Sequence, residues 1–185
     1  MAIQKTEAII LRRQEVRETS LMLTGFSRQL GKFQGLVKGV RGGRAAVPWY
    51  LEPLTLQFVI LYERRRSPWV LVSACDLLDG FETIRRDLTL TAYATYCLDL
   101  VDEMTGVADP HPEIFQALLA VLKGLELPGS DPAALAQVLT QLVLRSLHHG
   151  YGQGAVLGGH LQLIATVNAD ALTRIYADDG KPIAA

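Results

Sequence analysis

The chain has 185 residues, of which 49% are apolar and 20% charged, a composition that suits a protein with its own buried core and excludes a disordered one. Its formal net charge of −1 conceals a split: the first 70 residues carry twelve Lys and Arg against five Asp and Glu, a balance of +7, and the remaining 115 come to −8. Such segregation points the N-terminal half toward a polyanion and leaves the second half to prop or to recruit. Cys75 and Cys97 form no CxxC pair, so a disulfide framework is not expected and a reduced, cytoplasmic setting is. The opening MAIQKTEAIILRRQ is not read as a signal peptide, because Lys5 interrupts it and no clean apolar stretch follows. No run approaches the roughly 18–20 apolar residues of a membrane span.

From residue 6 to about 77 the signals are those of short strands. They fall at 8–11 (AIIL), 20–26 (SLMLTGF), 33–40 (FQGLVKGV), 54–62 (LTLQFVILY) and 69–74 (WVLVSA). The sequence Arg28-Gln-Leu-Gly-Lys32 reads as a hairpin turn with Gly31 at positive φ, and Gly35 is expected to mark a bulge. Leu54, Leu56, Phe58 and Ile60 share one face of the fourth strand, and a turn at 66–68 leads into the fifth. Five short strands with turn chemistry between them predict a small barrel. Between the third and fourth lies KGVRGGRAAVPW (38–49), a long basic, glycine-rich and then aromatic loop.

After Asp79 the apolar period becomes helical. Leu90, Tyr93, Cys97, Leu100, Val101 and Met104 form one stripe, with Gly106 as a stop. A second helix is predicted from Pro112, with Ile114, Phe115, Leu118, Leu119, Leu122 and Leu125 inward. A third is capped by Asp131, opens at Pro132, carries Leu135, Val138, Leu139, Leu142, Val143 and Leu147, and ends at Gly150. Three adjacent amphipathic helices make a bundle. The tail, 151–185, begins with a glycine-rich loop, and 161–167 reads equally as strand or helical turn.

The bases are the strongest chemical signal. Arg12, Arg13 and Arg17 lie on and after the first strand, Arg28 and Lys32 flank the first hairpin, Lys38, Arg41 and Arg44 lie in the long loop, and Arg64, Arg65 and Arg66 end the fourth strand. Strand ends and loops of a small barrel converge, so these residues predict a cationic groove for a phosphate backbone, against the alternative of a solvated surface with no ligand. Phe33 and Trp49 are candidate base-stacking platforms or, alternatively, core residues. The loop at 38–44 is no Walker A, since no Gly-Lys-Ser/Thr closes it. His148 and His149 point about 100° apart on a helix and interact with its dipole rather than with a metal. Asp99, Asp102 and Glu103 read as a solvated helix face, and Cys97 as core. No catalytic constellation, metal or cofactor is predicted.

The segments AIILRR (8–13), ETSLMLT (18–24) and GKFQGLVKGVR (31–41) together resemble the opening of the bacterial recombination mediator RecO family. LEPL (51–54), FETIRRDL (81–88) and PEIFQALL (112–119) resemble its entry to the fourth strand, its transition into helices and a later helix. The likeness spans about residues 6–150. It implies an N-terminal OB-fold and a C-terminal helical domain; with the strand and helix signals this gives an α+β protein with a five-stranded OB-fold barrel (residues 1–78), a helical domain (79–150) and a glycine-rich tail (151–185). It implies binding to single- and double-stranded DNA, strand annealing and help in loading a recombinase, with RecR and the C-terminal tail of the single-stranded-DNA-binding protein as partners and the bacterial nucleoid as location. Carried over by position, Arg12, Arg13, Lys38 and Arg41 face DNA. Many relatives carry a four-cysteine zinc module after the helix that ends near Gly150; GYGQGAVLGG (150–159) has no cysteine, so a shortened or diverged member is expected. A protein adaptor that docks an acidic partner tail without touching DNA is the alternative.

Overall fold

The computed structural model describes residues 3–17, 20–38, 51–63, 67 and 69–150, with side chains to Leu147 and without that of Arg17. Five strands, β1 (Ile3–Arg17), β2 (Ser20–Ser27), β3 (Gly31–Lys38), β4 (Thr55–Tyr62) and β5 (Val70–Asp79), precede four helices, α1 (Glu82–Arg86), α2 (Leu88–Met104), α3 (Pro112–Leu125) and α4 (Pro132–Gly150). The strands close in the order β1-β2-β3-β5-β4, antiparallel except where β3 runs parallel to β5 at Gly35–Val70 through Val37–Val72. This is the OB arrangement followed by a helical unit.

Alternation builds two cores from one sheet, because successive side chains face opposite sides. Ala8, Phe33, Val59, Leu61 and Val72 fill one end of the barrel, and Ile10, Leu21, Leu23 and Leu51 fill the other. Ile9, Leu11, Phe26, Leu54 and Leu56 lie on the outer surface, buried under the helices with Phe81, Leu100, Phe115 and Leu118. The rings of Phe26 and Phe115 meet there at 6.3 Å between centroids. The predicted β4 stripe is thus the outer face: Leu54 and Leu56 are covered by helices, whereas Phe58 and Ile60 are half-buried. The residues that point into the barrel are Gln57, Val59 and Leu61.

Gly31 has φ 67° as its turn demands, and a Cβ there would lie 2.1 Å from the carbonyl oxygen of Asp109. The segment after α2 is drawn onto the hairpin at that point, with the Ala108 N–H donating to Lys32 O at 2.8 Å. Gly35 is not a bulge: its pairing with Leu23 is regular, and the register shifts fall between Ile10 and Arg12 and between Glu15 and Arg17 on β1, with others between β4 and β5. What Gly35 provides is room for Val72, whose Cγ2 would sit 2.5 Å from a Cβ.

The helices begin where capping chemistry allows. The Asp131 carboxylate accepts from the N–H groups of Ala133 and Ala134 at 3.0 and 3.1 Å, and Asp87 accepts from Leu90 N–H at 3.0 Å. α2 ends before Gly106, at Met104, where Thr105 turns extended and its hydroxyl donates to Val101 O. Val138, expected inside, is exposed, and Ala136 takes the buried place one turn before Leu139 and Thr140. The tail lies outside the described residues. No described helix is long and apolar enough to cross a membrane.

Candidate nucleic-acid interface

The outer face of β1–β3 carries the candidate site. Cross-strand pairing sets Arg12 beside Thr24 and Thr24 beside Gln34, with Gln14 beside Met22 one step along. Arg12, Gln14, Met22, Thr24, Lys32 and Gln34 line a polar trough of about 360 Å³, closed at one end by Asp102, Glu103 and Val107. In OB folds the face of the second and third strands and the loops beside it receive oligonucleotides.

The helical half reaches into this trough with carboxylates. Arg12 Nη2 lies 2.9 Å from Asp102 Oδ2 and 3.5 Å from Glu103 Oε1. Lys32 Nζ lies 3.3 Å from Asp102 Oδ1 and also donates to the Asp102 carbonyl. The Asp102 and Lys32 side chains are 13% and 12% exposed, so the solvated face expected for Asp102 is in fact an ionic joint between barrel and α2. Arg12 keeps half its surface in water, and Glu103 likewise.

Among the described residues the predicted bases therefore do not form one free track. Arg12 and Lys32 converge, but on carboxylates. Arg13 projects elsewhere and pairs with Glu52, ahead of β4. Arg28 is exposed at the tip of the β2–β3 turn and Lys38 at the end of β3. Phe33 is no stacking platform: it is 6% exposed inside the barrel, its ring lying against Gly25, where a Cβ would be 2.4 Å from Cζ. Arg41, Arg44, Trp49, Arg64, Arg65, Arg66 and the side chain of Arg17 lie outside the described residues, as do the side chains of His148 and His149. Among the described residues no three His, Cys, Asp or Glu side chains assemble as metal ligands.

Two features escaped the sequence. One is Asp102 as partner of Arg12 and Lys32; a +7 half beside a −8 half was itself the signal, since such halves attract each other. The other is Trp69, read as the start of a strand, which is 41% exposed. A second cleft, of about 530 Å³, runs between Leu11, Pro53 and Leu54 of the barrel side and Thr91, Thr95, Leu98 and Asp99 of α2. Its floor is tied by Arg85, which donates to Gly80 O (2.8 Å), Pro53 O (2.7 Å) and Leu54 O (2.8 Å).

Barrel topology and helical companion define an OB-fold protein with an appended helical unit. Comparison with known families agrees: the Recombination protein O N-terminal model matches residues 1–81 and the C-terminal model residues 85–151. The chain belongs to the Recombination protein O family. It is 34% identical over 125 residues to the DNA repair protein RecO of Syntrophobacter fumaroxidans, which covers 68% of this chain and 49% of that protein. It is 30% identical over 131 residues to that of Anaeromyxobacter sp. (strain K), covering 71% and 52%. With the RecO of Listeria monocytogenes serotype 4b the identity is 22% over 182 residues, covering 96% of this chain and 70% of the relative. The chain thus spans about half the length of the first two relatives.

Proposed function

We propose that this chain acts in DNA repair and recombination by holding DNA against the outer face of its barrel. The observation that carries the reading is the polar trough on β1–β3 of an OB barrel whose half of the chain is +7. Relatives named DNA repair protein RecO support it. In this reading Lys38, Arg28 and the half-exposed Arg12, with Arg17, Arg41, Arg44, Arg64, Arg65 and Arg66, screen the phosphates of two strands. Complementary bases then pair without a nucleotide cofactor or catalytic group. Annealing, recombinase loading, the RecR and single-stranded-DNA-binding-protein partnerships and a place in the cytoplasm beside the nucleoid belong to the same proposal. The test is oligonucleotide affinity measured against salt. Arg41→Glu with Arg44→Glu should weaken binding and flatten the salt dependence, by about 0.7–0.9 of a log–log slope unit for each phosphate no longer neutralised. Unchanged affinity would remove the loop from the interface.

One observation favours a second reading. Arg12, Arg13 and Lys32 already hold carboxylates, the chemistry of an acidic peptide tail. Competition between an acidic peptide and an oligonucleotide on the full chain separates an adaptor from a DNA binder.

A further inference from the structure

We infer that Trp69 is a base-stacking platform that makes the barrel face selective for single strands; the inference rests on the DNA-binding reading above. The parallel ladder of β3 and β5 begins at Gly35–Val70, and Trp69 is the residue immediately before it, at the bend that leads into β5 beside the Gln34 end of β3. Val70 and Val72 pack toward the barrel interior. Trp69, just ahead of them, turns its side chain to solvent and is 41% exposed. The row Arg12–Thr24–Gln34 already crosses β1, β2 and β3. Trp69, at the entrance to β5, the next strand of the barrel, lies beyond Gln34; at about 4.8 Å per strand the reach from Arg12 to the indole is about 14 Å. Among the described residues no other aromatic side chain is as open to solvent.

Two hydrogen bonds tie the Trp69 backbone to Ser67. The Trp69 N–H donates to Ser67 Oγ at 3.1 Å, and that hydroxyl donates back to Trp69 O at 3.0 Å. An indole has only two side-chain torsions to immobilise when a base covers it. Every base offers a π-face, but only an unpaired base can lay that face on a side chain, so a stacking platform discriminates by strandedness rather than by sequence. The cation Arg12 at the far end of the row serves either kind of strand; Trp69 serves only one.

The experiment compares the full chain with Trp69→Ala and Trp69→Phe, titrated with an oligothymidylate of about 15 nucleotides and with a duplex of equal length. Trp69→Ala should lower affinity for the single strand by about 5- to 150-fold and leave duplex affinity within about two-fold, while Trp69→Phe retains most of the preference. In a Trp49→Phe background, the single strand should quench the remaining Trp69 fluorescence. That quenching and Trp69→Phe decide the matter should Trp69→Ala fail to fold. Unchanged single-strand affinity, absent quenching, or equal loss for both ligands overturns the inference and leaves the DNA-binding reading standing. A parent chain that binds neither ligand overturns both.

Discussion

Asp79, the last residue of β5, shows how one side chain joins barrel to helices. It accepts from Phe81 N–H at 2.8 Å and from Lys123 of α3. Lys123 also stands 5.6 Å from the centre of the Phe81 ring, and Phe81, at φ 49°, turns the chain into α1. Partial burial alone would raise the Asp79 carboxyl, but hydrogen bonds from Lys123 and Phe81 and the Lys123 charge outweigh it and hold the pKa below the ordinary 3.8. The carboxylate therefore stabilises the fold at neutral pH, and that contribution fades as pH falls below 3.8 through the folded-state value. Urea melts at a series of pH values should find Asp79→Asn less stable at pH 7, with the gap to the parent narrowing in acid. Gly31 is equally constrained. Gly31→Ala should cost more than the roughly 1–2 kcal/mol of a positive-φ position, since its Cβ meets the Asp109 backbone as well; the unfolding midpoint reads this. Burial pushes the thiol of Cys97 up to about 12 and that of Cys75, with help from Asp76, to about 11. An aromatic disulfide reagent at pH 8 should thus label the folded chain slowly and the unfolded chain at once.

The elements were legible in proportion to how local their causes are. Asp131 and Pro132 predict α4 because an N-cap and the residue after it need only their own neighbours. Gly31 predicts its turn for the same reason. The outward side of β4 was legible as a stripe, but which stripe faced the barrel interior depends on helices more than 25 residues later that cover Leu54 and Leu56. α1, five residues long, carries too little period to be read. It is held instead by partners distant in sequence: Arg85 on the carbonyls before β4, and Glu126 accepting from Thr83 N–H at 3.0 Å. Asp102 belongs to this class too. Asp102→Asn removes the shared partner of Arg12 and Lys32 and should destabilise the chain by about 2–3 kcal/mol, below the value for a fully buried pair because Arg12 is half in water. The Asp102→Asn, Lys32→Met double variant should recover part of that loss, as thermal melts would show.

For the whole molecule, the charge split has two readings that sequence alone does not separate. A basic half can await an external polyanion, or it can be satisfied by its own acidic half. The fold does some of each: Arg12 and Lys32 meet Asp102 and Glu103, while Arg28 and Lys38 remain exposed. Glu103 is the looser of the two carboxylates, so Glu103→Gln should raise oligonucleotide affinity about two- to five-fold at low salt without altering the melting temperature, a difference that vanishes as salt screens it. The most direct measurement is an amide and indole NMR titration of the full chain with a single-stranded oligonucleotide. DNA held on the barrel face predicts shifts concentrated at Gln14, Thr24, Gln34, Lys38 and the Trp69 indole, with α3 and α4 unmoved. Shifts confined to the helices, or none anywhere at low salt, would contradict it.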